Sequence, residues 1–156
     1  MLLGGDCTCH EGYGMTETTG ATCVTYPDDL SLGHVGGPFP CCEVKLVDVP
    51  EMSYLHSDRI HDNFIACEGR GEIWVRGPGV ISGYYKDEEE TEAAGLNSPG
   101  GWLKSGDIGM SFVLSCFYNS INKIILIASY DYFFSLTLFQ ANFFSLIIQI
   151  ADCLTD

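Results

Sequence analysis

Polar and apolar positions alternate most clearly over Glu43–Asp48, where Val44 and Leu46 interleave with Glu43 and Lys45, and the period of two predicts a half-buried strand. Ile73 and Val75 repeat the pattern between Glu72, Trp74 and Arg76 and predict a second strand. Cys7-Thr8-Cys9-His10 is strand-like and runs into Gly12-Tyr13-Gly14, which predicts a strand-to-helix corner. Lys86–Ala94 reads as a short helix: Asp87 can cap it, Glu90 completes a capping box, and Glu88 and Glu89 suit the dipole. Gly95 suits its C-terminal cap. Turn chemistry marks Tyr26-Pro27-Asp28-Asp29, the Gly/Pro-rich Gly33–Pro40, Gly77-Pro78-Gly79, Ser82-Gly83 and Asn97–Gly101. His34 in this setting is expected to bond within its loop, and Met52–Asn63 is a polar surface excursion with His56 and His61 solvated.

The pattern breaks at Met110. From Ser111 to Ile150 only Lys123 and Asp131 are charged, and no sustained helical period or hairpin turn is present. The uncharged run 132–150 approaches the roughly 20 residues that cross a bilayer. Gln140, Asn142 and Gln149 interrupt it, and no Lys/Arg flank follows. Two readings stand: a membrane segment, or translated intron or out-of-frame DNA, with the second ahead because low-complexity text begins so sharply. The expected division is therefore 1–110, a folded part, and 111–156, an apolar tail.

A formal charge of −14 with only seven Lys and Arg excludes a nucleic-acid binder and a polybasic lipid binder. Eight cysteines contain no C-x-x-C pair, which argues against zinc, and the start has neither a basic nor an apolar signal region. Reduced thiols in an intracellular protein are the expectation. Cys153-Leu154-Thr155-Asp156 carries no peroxisomal or reticulum-retention signal.

Candidate chemistry gathers in Glu11-Gly12-Tyr13-Gly14-Met15-Thr16-Glu17-Thr18-Thr19. Gly12 and Gly14 allow close backbone approach, and Tyr13 can lie against a planar base. Thr hydroxyls can meet phosphate oxygens, and Glu17 can hold a hard cation such as Mg²⁺. Far downstream, Asp107 in Lys104-Ser105-Gly106-Asp107-Ile108-Gly109 can accept from the paired hydroxyls of a ribose, or close a β-turn.

These two stretches, with Gly71-Glu72-Ile73-Trp74-Val75-Arg76-Gly77 and Ser82-Gly83-Tyr84-Tyr85-Lys86-Asp87 between them, resemble in order and spacing the core motifs of adenylate-forming (AMP-binding) enzymes. Gly33-His34-Val35-Gly36 and Glu43–Met52 narrow the resemblance to eukaryotic long-chain fatty acid–CoA ligases, especially the plant-type peroxisomal branch. It covers about Cys7 to Gly109. The fold it implies is α/β: the end of an α/β sheet subdomain followed by a mostly β, barrel-like one. The activity it implies joins a fatty acid to coenzyme A through an acyl-adenylate, using ATP and Mg²⁺. Carried over, Tyr13 would stack on adenine, with Glu11, Gly12 and Gly14 lining the pocket. Thr16 would bond the α-phosphate, Glu17 would hold Mg²⁺ and Asp107 the ribose hydroxyls. Thr16 and Glu17 would be the residues acting in catalysis.

The pattern departs from the family at both ends. No Ser/Thr/Gly-rich phosphate loop precedes Gly12-Tyr13-Gly14, and no basic hinge or catalytic Lys follows Gly109, since Lys104 and Lys123 match neither motif. The expectation is an intracellular ligase segment inactive alone, with peroxisome and reticulum membrane both left open by the sequence. Rival readings are a non-catalytic nucleotide-binding module and a small membrane-anchored acidic protein.

Overall fold

The structure is a computed structural model that describes residues 8–27, 29, 31, 33–61, 65–114, 123–128 and 150–152, the side chains of 8, 9, 61, 65, 113, 114, 123–128 and 150–152 excepted. The described residues are predominantly antiparallel β. In chain order the strands are β1 (Thr8–His10), β2 (Gly12–Met15), β3 (Gly20–Val24), β4 (Gly37–Pro38), β5 (Glu43–Val47), β6 (Ile60–His61), β7 (Ile65–Ala66), β8 (Gly69–Arg76), β9 (Leu103–Leu114), β10 (Lys123–Ala128) and β11 (Ile150–Asp152), with one helix, α1 (Glu88–Ala93). Two sheets carry the structure: β2-β3-β4, and a four-stranded sheet in the order β10-β9-β8-β5. The pairs β1–β11 and β6–β7 are smaller additions.

β8 shows why the alternating segments fold as they do. Gly69, Gly71, Ile73 and Val75 point inward and are buried, while Arg70, Glu72, Trp74 and Arg76 face outward, half-buried. Ile73 and Val75 join Tyr13 of β2 and Cys23 of β3 in the core, with Val35, Val44, Leu46 and Val80 packed around them. The core thus lies between the two main sheets. Burying a side chain of this kind contributes about 1.5–3 kcal/mol. On the outer face cations and indoles interleave: Lys45 Nζ lies 4.7 Å from the Trp74 ring centroid and 4.2 Å from that of Trp102. Arg76 Cζ lies 4.6 Å from the Trp102 centroid while its guanidinium grips Glu43. That face is therefore covered by its own long side chains.

The short helix forms between the expected caps at Asp87 and Gly95 but without the capping box, because the Asp87 N–H donates to Tyr84 O and not to the Glu90 side chain. Asp87 Oδ1 accepts from Glu90 N–H at 3.0 Å. At the other end Gly95 adopts φ +77°, its N–H donates to Glu92 O, and Leu96 N–H donates to Thr91 O. The paired bonds close a Schellman motif.

Three expectations need correction. Gly12-Tyr13-Gly14 is no strand-to-helix corner: it lies within β2, paired to β3, and a single 3-10 turn, Thr16–Thr18, joins the two. The reason is close backbone packing, because a Cβ on Gly14 would sit 2.0 Å from Gly20 O. Over its described residues, 52–61, the excursion Met52–Asn63 is also more ordered than its polarity suggests. Val49 bridges Tyr54, and Arg70 Nε donates to Asp58 Oδ2 at 2.8 Å. The absence of hairpin chemistry after Met110 did not prevent pairing either: β9 continues to Leu114 and pairs antiparallel with β10. Among the described residues no helix is long and apolar enough to cross a membrane, and nearly all of the run 132–150 lies outside them.

Candidate functional site

Asp107 owes its position to a break in register. β8 and β9 pair Trp74 with Lys104 and Glu72 with Ile108, so Ile73 alone opposes Ser105, Gly106 and Asp107. Such bulges re-aim side chains. Gly106 accommodates this one at φ +75°, a region that favours glycine. Ser105 closes it, donating from Oγ to Ile73 O at 2.7 Å and accepting from Asp107 N–H at 3.0 Å. Gly106 N–H donates to Glu72 Oε1 at 3.2 Å. Asp107 therefore sits on a strand bulge, not in the β-turn that its sequence setting also allowed.

The bulge brings Asp107 to Tyr13. The Tyr13 hydroxyl donates to Asp107 Oδ2 at 2.8 Å, joining residues 94 apart in sequence. Tyr13 is 6% exposed, and burial is the main reason its phenol is held well above the ordinary tyrosine range, with the Asp107 charge adding to it. The phenol therefore stays protonated and donates. Asp107 is half-buried, and its Oδ1 has no hydrogen-bond partner among the described residues. One carboxylate oxygen is oriented by protein while the other keeps its capacity to accept.

Glu17 is fixed by a segment that sequence reasoning passed over as mere punctuation. Its Oε1 accepts from the Tyr84 hydroxyl at 2.8 Å, and its backbone carbonyl accepts from Ile81 N–H at 2.9 Å. Beside it Thr19 Oγ1 donates to Gly79 O at 2.6 Å. Gly79 has to be small, since a Cβ there would approach Thr18 O to 2.9 Å. Thr18 Oγ1 donates to Gly20 O at 2.7 Å and accepts from Met15 N–H at 3.0 Å, tying down the 3-10 turn. Tyr84 is held in turn by α1, its N–H donating to Thr91 Oγ1 at 2.9 Å. Burial first, then the bond to Glu17, pushes the Tyr84 phenol up to about 12. The only advance signal was that Ser82-Gly83-Tyr84-Tyr85-Lys86-Asp87 belonged to the ordered motif set.

The remaining predicted residues are placed less tightly. Glu11 is anchored by backbone, its N–H donating to Thr25 Oγ1 at 3.0 Å and its carbonyl accepting from Thr25 N–H at 2.8 Å. Gly12 lies against β3, where a Cβ would stand 3.0 Å from Cys23 O. Thr16 is exposed, and its hydroxyl has no hydrogen-bond partner among the described residues. The histidines stand apart. His34 is buried, Gly36 N–H donates to its Nδ1 at 3.2 Å, and its Nε2 lies 2.9 Å from Ser31 Oγ, as a loop hydrogen-bonding residue should. His56 is exposed, but its Nδ1 lies 2.7 Å from Asp48 Oδ1, a partner that spacing did not reveal. The side chain of His61 lies outside the described residues. Among the described residues no group of three His, Cys, Asp or Glu could hold a metal ion by itself.

A family model described as AMP-binding enzyme matches residues 2–85. The chain belongs to the AMP-binding enzyme family. Among curated members, "Long chain acyl-CoA synthetase 7, peroxisomal" of Arabidopsis thaliana is 50% identical over 104 residues, 67% of this chain and 14% of that protein. "Long-chain-fatty-acid–CoA ligase 6" of Homo sapiens is 50% identical over 103 residues, 66% of this chain and 13% of that protein. The chain thus spans about one-seventh of the length of these AMP-binding relatives. An unliganded O-succinylbenzoate coenzyme A synthetase of Bacillus subtilis, 30% identical, superposes with a TM-score of 0.50 over 78% of this chain and 21% of its own. An anthranilate CoA ligase, 21% identical, shares the fold with a TM-score of 0.52 over 76% of this chain and 18% of its own. The AMP-binding fold expected from the motifs is therefore the one present, seen here chiefly through its β portion.

Proposed function

We propose that the chain supplies the adenine-and-ribose half of the nucleotide site of a long-chain fatty acid–CoA ligase. The observation that carries this reading is the Tyr13–Asp107 bond, which couples the two stretches with nucleotide-binding chemistry across 94 residues. The reaction has two steps. A fatty-acid carboxylate attacks the α-phosphate of ATP to give acyl-adenylate and pyrophosphate, and the thiol of coenzyme A then displaces AMP to form the thioester.

Asp107 Oδ1 accepts from the ribose hydroxyls while Tyr13 holds Oδ2. The adenine lies beside the β2 backbone at Glu11–Gly14. Tyr13 is deeply buried, so its ring serves as the floor of that pocket. Thr16, whose hydroxyl is exposed, meets the α-phosphate. Glu17 suits Mg²⁺, since Tyr84 occupies Oε1 and Oε2 has no partner among the described residues. Mg²⁺ binds through one or two carboxylates plus phosphates and water, so a single fixed carboxylate fits it better than a closed cage would. Bound there, the ion would neutralise phosphate charge. What these residues contribute is positioning and electrostatic preorganisation. The peroxisomal names of two Arabidopsis thaliana relatives support a peroxisomal setting.

A chimera tests the reading. Residues 7–109 are placed in the Arabidopsis thaliana relative in exchange for the matching segment, and palmitoyl-CoA formation is followed. The chimera should be active, and Asp107→Ala within it should raise the KM for ATP by on the order of a hundredfold, the loss of two hydrogen bonds to a charged group at about 1.5 kcal/mol each. A folded chimera without activity, or an Asp107→Ala variant with an unchanged KM for ATP, overturns the proposal.

A further inference from the structure

Two thiols lie side by side on the surface, outside the nucleotide half-site. Phe39-Pro40-Cys41-Cys42 forms a β-turn closed by Cys42 N–H donating to Phe39 O at 2.8 Å, with Pro at the position whose φ it presets. The turn is pinned from both sides. Phe39 N–H donates to Thr22 O at 2.9 Å, and the Cys41 carbonyl packs so closely on Gly77 that a Cβ there would stand 2.8 Å away. Cys41 is exposed, Cys42 half-buried, and their sulfurs are 3.8 Å apart. Cys23 and Cys67, by contrast, are buried, and burial pushes the Cys23 thiol up to about 12.

Geometry decides what this pair can bind. Adjacent residues hold their Cα atoms about 3.8 Å apart, short of the ~4.4–6.8 Å that a disulfide ordinarily spans. Direct oxidation of the pair would therefore be strained. Zinc needs four ligands, and no group of three metal-binding side chains exists among the described residues. A soft centre content with two sulfurs meets both constraints, because one bridging atom spans a gap that a direct S–S bond would have to collapse.

We propose that Cys41 and Cys42 form a two-thiol site for soft, thiol-seeking centres of low coordination number, with trivalent organoarsenicals as the representative class. The step is a condensation. Each thiol gives its proton to the oxide oxygen, two arsenic–sulfur bonds replace the arsenic–oxygen double bond, and one water leaves, with no change of oxidation state. The bridge closes on the turn through which the chain passes from the sheet of Tyr13 to the sheet of Asp107.

The test uses the full chain with phenylarsine oxide as probe, under reducing conditions, followed by digestion and mass spectrometry. One arsenical should be recovered on the peptide holding both Cys41 and Cys42, removed by a dithiol but not by an equal concentration of monothiol. Because the second sulfur binds intramolecularly, Cys41→Ser and Cys42→Ser should each weaken binding by about a hundredfold. Both positions lie on a surface turn, and circular dichroism of each variant checks that the sheets persist. Recovery of the arsenical only at other cysteines, or wild-type affinity in either folded variant, overturns the proposal.

Discussion

Tyr13 and Asp107 show how much of the site depends on single hydroxyls and carboxylates. Removing the Tyr13 hydroxyl in Tyr13→Phe keeps the ring in the core but leaves Asp107 Oδ2 without its donor. A hydrogen bond to a charged group contributes about 1.5–3 kcal/mol. Tyr13→Phe should therefore weaken ATP in the chimera by roughly tenfold or more, with a smaller change in fatty-acid KM, as steady-state kinetics would report. Tyr84 gives a pH signature. Its phenol is held at about 12 in the folded chain, against about 10 when unfolded. The folded state thus keeps a proton that the unfolded state releases. That contribution is complete below about pH 10 and is lost as pH rises toward about 12. Urea denaturation from pH 9 to 12 should show this loss together with those of Tyr13 and Cys23, whose protons burial also holds, and Tyr84→Phe should make the curve shallower. A wild-type curve already flat over that window would contradict the Glu17–Tyr84 contact. The acid side has the opposite sign. The His56 amide holds the Asp48 carboxyl, and the Leu55 amide the Asp58 carboxyl, below the usual range. Their contributions are present at neutral pH and fade as acid protonates them.

Among the elements, those whose order is local were legible in advance. α1 carried its caps in the text of Asp87 and Gly95, and the strands through Val44 and Ile73 carried their alternation. The bulge at Ser105–Asp107 was not legible, because register is a relation between two strands and no property of either alone. For the same reason Gly12-Tyr13-Gly14 passed for a corner until its pairing with β3 was seen. The role of Tyr84 was hidden because its partner lies 67 residues upstream. Two substitutions test the elements separately. Asp87→Ala should cost about 1 kcal/mol of stability by removing the helix cap. Ser105→Ala removes the group that closes the bulge. It should leave the far-ultraviolet spectrum intact while raising the KM for ATP in the chimera; a normal KM would show that the bulge holds without it.

For the molecule as a whole, the core and the site share walls. Ile73, fully buried, packs against Tyr13 and also gives the carbonyl that accepts from Ser105. Ile73→Ala should therefore destabilise the chain by about 2–5 kcal/mol and weaken nucleotide binding with it, even though Ile73 would touch no ligand. Chemical denaturation and ATP titration of the same variant would check both. Val75→Ala, equally buried but farther along β8 from the bulge, should lose stability with less effect on ATP. If the two variants proved alike in ATP affinity, the coupling through Ile73 would be wrong.

The 94-residue separation between Tyr13 and Asp107 also has a consequence in time. A ribosome adding about 5–20 residues per second delivers Tyr13 roughly 5–20 s before Asp107 can emerge to meet it. Over the last third of that interval, once Arg76 has been added, β5 and β8 can already pair, but β8 shows its other edge to whatever is near, because its neighbour β9 has yet to be made. Such an edge is a template for mispairing. β9 is thus both the strand that covers that edge of β8 and the strand that brings Asp107 to Tyr13. A nascent chain stalled just short of Leu103 should be the most sensitive to chaperone depletion and unable to retain ATP.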